Sequence, residues 1–174
     1  PSWDGGDLNG RKLLIHSEQG FGDTIQFCRY LKHIAESDID FTVELPERLL
    51  PLLTNLPTSD RHVAAGQNIR CDVQAPLLSL PHLVGPAEPF CSPTPAYLSA
   101  EEGPIADWRG RLPSDRNLRV AFCWQGNPDY RADANRSIPL DAFSPIAALP
   151  DIQLISLQQG DATKDLARHS WGPN

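Results

Sequence analysis

Three consecutive apolar residues, Leu13-Leu14-Ile15, stand between Lys12 and His16 and run straight into Ser17-Glu18-Gln19-Gly20-Phe21-Gly22-Asp23. A short, unbroken apolar run of this kind suits a strand covered on both faces, the situation of a central strand in a parallel sheet. Apolar residues then recur at Ile25, Cys28, Leu31 and Ile34 or Ala35, which is helical spacing, and Asp23 with Gln26 has the form of an N-cap and its reciprocal partner. Strand, glycine loop and helix are therefore expected in succession. A second strand, Phe41–Leu45, precedes Pro46, and the leucines between Glu47 and Asn55 suit a helix bent by Pro51. This βαβα grammar predicts an α/β fold built on a parallel sheet.

Val63–Ala65 and Cys71–Gln74 are further short strand candidates. Prolines at 76, 81, 86, 89, 93, 95 and 104 then interrupt regular structure, while Leu77, Leu78, Leu80, Leu83, Phe90 and Tyr97 supply apolar anchors. Residues 76–104 are thus expected to be a folded-over connecting segment, not a free linker. The grammar restarts at Leu118–Trp124, a strand, followed by a polar loop over Gln125–Arg136 and a helix from Ser137 and Pro139 to about Leu149. Ile152–Leu157 reads as another strand, with a short helix at Ala162–Arg168. Charge divides near the same place. Residues 1–108 hold 7 basic and 15 acidic side chains, and residues 109–174 hold 8 and 7. Two domains are expected, 1–115 and 116–174, the second incomplete.

The 174 residues carry a formal charge of −7, without the basic footprint of a nucleic-acid binder. No apolar run approaches the ~18 residues of a membrane span, and the N-terminus lacks the basic and apolar regions of a signal peptide. A cytoplasmic location is the expectation. The chain has no methionine and begins at Pro1, so it reads as a fragment of something longer. Cys28, Cys71, Cys91 and Cys123 form no C-x-x-C pair and have no histidine at ligand spacing. They are expected to be small buried residues of a reducing compartment, with no metal.

Gly20-Phe21-Gly22 between strand and helix would direct backbone N–H groups toward an anion or polar ligand. A dinucleotide fingerprint would need a third glycine where Ile25 stands, although Glu44 lies about where a ribose-binding acid belongs. Asp23 occupies the position a pyrophosphate would take, and like charges repel there. Two readings of Asp23 remain open: a helix cap, or a general base at the ligand edge of the sheet.

The stretch from Trp3 to Leu31, together with Leu77–Pro81, Val120–Pro128, Arg136–Leu140 and Ile155–Gln158, resembles the bacterial glycosyltransferase-like domain that follows tetratricopeptide repeats. That family is related to the ADP-heptose lipopolysaccharide heptosyltransferases. The resemblance implies a GT-B architecture of two Rossmann-like halves, the first complete here and the second only begun, and inverting transfer of a sugar from a nucleotide-sugar co-substrate without cofactor or metal. It implies that Asp23 is the base, with Glu18, Gln19, Gly20 and Gly22 in the acceptor-side loop. It places Arg136 on the donor phosphates, with Trp124, Gln125, Gly126, Asn127 and Ser137 lining the donor pocket. The acceptor would be a protein or glycan hydroxyl.

Local chemistry keeps plainer alternatives for each residue. Trp124 also suits a core position at a strand end, Gln125 and Asn127 a turn before Pro128, and Arg136 a solvated partner of Asp133. His16, inside a strand, reads as a hydrogen-bonded core histidine. Three functions stay open: a glycosyltransferase, a binding module that has lost the chemistry, and another nucleotide-binding Rossmann-like domain. The alternative to a second half begun at residue 116 is that its two strands extend the first sheet or pair across a homodimer, because apolar parallel edges seldom stay bare.

Overall fold

Leu13, Leu14 and Ile15 are all buried, Ile15 completely, and their strand lies inside a sheet with a parallel neighbour on each side. The computed structural model describes residues 1–84, 96–112 and 117–169 and divides into two compact units, Pro1–Arg109 and Gly110–Asn174. In the first, β1 (Leu13–His16), β2 (Phe41–Leu45), β3 (His62–Ala64) and β4 (Val73–Pro76) form an all-parallel sheet of order β3-β2-β1-β4. Ile15 stands opposite Val43 on one side and Ala75 on the other. This order, with helical segments between β1 and β2 and between β2 and β3, is Rossmann-like. The reversal of strand order puts a topological switch point between β1 and β4.

The outer edge of β4 is covered by the N-terminal residues. Trp3 N–H donates to the Gln74 carbonyl (2.8 Å), and Gln74 N–H donates to the Pro1 carbonyl (3.0 Å). Trp3 is buried, its indole N–H donating to the Gly6 carbonyl (2.8 Å). Gly5 makes this turn at φ +88°, and a Cβ there would lie 2.8 Å from the Leu83 carbonyl oxygen, so only glycine fits.

The first helical run begins earlier than the capping pattern predicts. Gly20 is the N-cap of α1 (Phe21–Phe27), with no side-chain cap, and Asp23 is already its third residue. The chain leaves β1 so abruptly that Gly20, still extended, supplies the first acceptor: Thr24 donates to its carbonyl through both N–H (3.0 Å) and Oγ1 (3.2 Å). A 3₁₀ turn at Cys28–Tyr30 joins α1 to α2 (Leu31–Ala35). Thr24, Cys28, Leu31 and Ile34 form the buried stripe. Burial pushes the Cys28 thiol up to about 11, against a smaller opposing effect of Arg29, which leaves it inert at neutral pH.

Glu47–Leu53 is a 3₁₀ helix containing Pro51, not a bent α-helix; proline has no N–H to give and its ring crowds the preceding turn. After β4, a 3₁₀ turn at Leu77–Ser79 leads into α3 (Leu80–Leu83). Much of the proline-rich stretch, including Phe90 and Cys91, lies outside the described residues. Where the chain resumes it is tied to the first unit: Tyr97 Oη donates to the Ile25 carbonyl (2.9 Å), and the Arg29 guanidinium lies 4.6 Å from the Tyr97 ring centroid. The division between units falls within α4 (Glu102–Arg111); the boundary expected near residue 115 lies outside the described residues.

The second unit has its own two-stranded parallel sheet, β5 (Leu118–Phe122) beside β6 (Ile152–Ser156). These strands do not extend the first sheet. A 3₁₀ helix at Leu140–Phe143 and the short α5 (Ser144–Ala147) replace the single long helix expected there, and Asp161–Arg168 is also 3₁₀. Phe122, Trp124, Leu140 and Leu154 form the core on one face. Cys123 points away from that face and is exposed, as is Cys71, so neither is the buried residue its sequence context suggests. No helix among the described residues is long and apolar enough to cross a membrane.

Ile15→Ala is expected to destabilise the first unit by about 3 kcal/mol, measured by urea unfolding. Burial also lowers the His62 pKa from its ordinary 6.5, partly offset by Asp60, while Thr58 Oγ1 lies 2.9 Å from its Nε2. The unfolded chain therefore takes up this proton more readily. Stability should be full above pH 6.5, decline as pH falls below it and level out below the folded value; His62→Gln should flatten that decline in denaturation curves between pH 7.5 and 5.

Candidate functional site

The carboxyl ends of β1 and β4 bring the Ser17–Gly20 loop, the start of α1 and the turn at Leu77–Ser79 to the switch point of the first sheet, where open α/β sheets receive ligands. Ser17 N–H donates to the Glu44 carbonyl (3.0 Å), carrying the ladder one step past β1. Beyond it Glu18, Gln19, Gly20, Phe21 and Gly22 are exposed. Asp23 is half-buried, with Oδ2 near Gly20. Among the described residues its carboxylate has no hydrogen-bond or ion-pair partner. An unclaimed, partly desolvated carboxylate beside open backbone is equipped to accept a proton from a hydroxyl.

Glu44 is otherwise engaged. Its Oε1 accepts from Gly66 N–H (2.7 Å), fixing the turn after β3, which ties down the acid that a ribose-binding role would need. A feature missed in the sequence is the exposed Phe21 ring with the Arg48 guanidinium 5.7 Å from its centroid. Arg48 arrives from the chain after β2, and no local pattern connects the two.

In the second unit, Trp124, Gln125, Gly126, Asn127, Arg136 and Ser137 lie within one loop system at the carboxyl end of β5. Gln158, just past β6, organises its first part: its Oε1 accepts from the N–H groups of Trp124 and Gln125 (both 3.0 Å), and its Nε2 donates to the Gln125 carbonyl (3.0 Å). The Trp124 carbonyl accepts from Ile138 N–H (3.0 Å), and Gly126 N–H donates to Ser137 Oγ (3.0 Å). The backbone donors at 124–126 are thus consumed internally and do not form an open phosphate cradle. Trp124 is a core residue packed 5.5 Å from Phe122. Its indole N–H finds no acceptor among the described residues. Asn127 is exposed, and its Oδ1 accepts from Asp129 N–H (3.1 Å).

Arg136 is both paired and stacked. Its Nε donates to Asp133 Oδ1 (3.1 Å), and its guanidinium lies 4.7 Å from the Tyr130 ring centroid. The side chain is 53% exposed, and among the described residues neither Nη group has a hydrogen-bond acceptor. Gly126 makes room for this arrangement: a Cβ there would sit 2.5 Å from Asp133 Oδ1 and 2.7 Å from Arg136 Nη2. A side chain at this position would have to displace the ion pair beside it.

The chain is similar to Protein FlbA of Caulobacter vibrioides. The two are 26% identical over 186 aligned residues, covering 95% of this chain and 31% of FlbA. The chain therefore spans about a third of that relative's length. No family model matches the sequence, and no solved structure matches it.

Gln158 and Asp133 were not singled out as site residues from spacing. The register offers the signal for Gln158: with Phe122 opposite Ser156, Trp124 and Gln158 fall opposite each other in a continued ladder. Gln158→Ala leaves two inward backbone N–H groups without their acceptor, which should cost about 2 kcal/mol. Differential scanning calorimetry should show the loss in the transition of the second unit, with that of the first unchanged.

Proposed function

We propose that this chain carries the two ligand edges of a GT-B-type inverting glycosyltransferase, transferring a sugar from a nucleoside diphosphate donor to a hydroxyl of a protein or glycan. The observation that carries the reading is Arg136, at the carboxyl end of β5, with Nε and one face of its guanidinium engaged and, among the described residues, its Nη edge unclaimed. A planar guanidinium with two free N–H groups matches paired phosphate oxygens bidentately.

The role of each unit follows from its chemistry. Asp23, at the switch point of the first sheet, takes the proton of the acceptor hydroxyl as the oxygen attacks the anomeric carbon opposite the leaving group. The bond from that carbon to the donor phosphate oxygen breaks, its electron pair leaves on the diphosphate, and Arg136 offsets the charge that develops there. Glu18 and Gln19 extend beside Asp23 as polar groups for the acceptor, and Ser137 supports the donor loop. In a tetratricopeptide-repeat parent acting in the cytoplasm, the repeats would present the acceptor.

A second reading, a binding module without chemistry, is favoured by the internal consumption of the N–H groups at 124–126, which leaves the phosphates fewer donors than a transferase usually offers.

Calorimetric titration of the 174-residue chain with ADP, UDP and GDP tests the donor side. Arg136→Ala is expected to weaken binding about tenfold, corresponding to roughly 1.4 kcal/mol; equal affinity in both proteins would sink the proposal. In the longer parent, Asp23→Asn should reduce turnover about 10²- to 10⁴-fold with little change in donor affinity. Turnover unchanged by Asp23→Asn would remove the base, and a parent with donor binding but no transfer would favour the module.

A further inference from the structure

Asp133 is a buried carboxylate of the second unit, 8% exposed. Its Oδ1 accepts from Arg136 Nε (3.1 Å) and its Oδ2 from Ser137 Oγ (2.8 Å). Its carbonyl accepts from the N–H groups of Arg136 (3.0 Å) and Ser137 (2.9 Å), and its own N–H donates to the Tyr130 carbonyl (2.9 Å). Ser137 Oγ in turn accepts from Gly126 N–H. Asp133 thus holds the guanidinium through its carboxylate, the chain at Tyr130 through its backbone N–H, and Gly126 through Ser137.

A guanidinium on a long side chain ordinarily samples many rotamers, and fixing one costs entropy at the moment of binding. Asp133 removes that freedom beforehand, because Nε is bonded on one side while Tyr130 supports the plane. The groups left over are the two Nη. We propose that Asp133 is a positioning residue for anion recognition: it holds Arg136 so that its Nη edge is presented as an oriented fork to the paired oxygens of a diphosphate. The proposal rests on the donor-side reading above and adds the residue that sets its geometry.

Charge alone argues the other way, which makes the idea testable. A carboxylate 3.1 Å from the guanidinium repels an incoming anion, so a purely electrostatic Asp133 would weaken binding and its removal would strengthen it. A positioning Asp133 gives the opposite sign.

The test is calorimetric titration of the intact 174-residue chain with inorganic pyrophosphate, on the native protein and on Asp133→Asn, Ser137→Ala, Arg136→Lys and the Asp133→Asn/Arg136→Lys pair, with near-ultraviolet circular dichroism confirming folding. The native chain should bind. Asp133→Asn should weaken binding at least fivefold despite the gain of positive charge, and Ser137→Ala, which frees one carboxylate oxygen, about twofold. In the Arg136→Lys background, which keeps the charge but has no Nε or fork, Asp133→Asn should cause no further loss; a merely structural Asp133 would cost as much in either background. Unchanged or tighter binding by Asp133→Asn, with Arg136→Lys still impaired, overturns the positioning role and leaves the donor reading standing. No pyrophosphate binding by the native chain defeats the donor reading and this proposal together. If Asp133→Asn does not fold, Ser137→Ala decides: native affinity in that variant overturns the proposal.

Discussion

The burial of β1 between two parallel neighbours is the constraint from which the first unit follows. Ile15 is fully covered, with Val43 and Ala75 opposite it in the adjoining strands, and a strand buried on both faces has no polar side to turn toward water. Helical connections must then lie over the sheet, and the stripe of Thr24, Cys28, Leu31 and Ile34 supplies one such cover. The chain leaves the carboxyl end of β1 into a loop whose polar groups reach solvent. Glu18, Gln19 and Asp23 are gathered there for that reason.

The loops at the carboxyl ends of β1 and β5 are held by different means. In the first unit Asp23 has no hydrogen-bond or ion-pair partner among the described residues, and the loop around it is shaped by Gly20 and by the ladder step from Ser17 to Glu44. In the second unit the backbone donors at the start of the loop are already spent. Gln158 acts as a piece of backbone, saturating the chain after β5, and Asp133 organises Gly126, Tyr130, Arg136 and Ser137. A buried polar network of this kind is stable only when its members are satisfied. Among the described residues, the Nη groups of Arg136 are left outside this network.

Several features were legible from local pattern because local physics decides them. The apolar runs at Leu13–Ile15, Phe41–Leu45, Leu118–Phe122 and Ile152–Ser156 became strands, since each is short, β-prone and bounded by polar turns. The helix cap was misplaced because Asp23 and Gln26 satisfy a capping pattern that takes no account of how sharply the chain must turn at Gly20. The helix after Pro46 and the one before Leu149 were drawn too regular, because prolines at 51 and 145 shorten what periodicity alone would extend. Cys123 was assigned to the core because it sits in an apolar run, whereas the alternation of a strand sends it outward.

The sequence by itself determined the element types, the parallel α/β class and the placement of glycines and carboxylate at a strand end, because these depend on residues within a few positions of one another. Tertiary structure alone decided that the last two strands form a separate sheet, that Glu44 is tied to Gly66, that Arg48 lies over Phe21 and that Gln158 closes the loop after β5. Each of these joins residues from 22 to 34 positions apart or more, and only the packing of buried strands in register brings such partners within hydrogen-bonding distance.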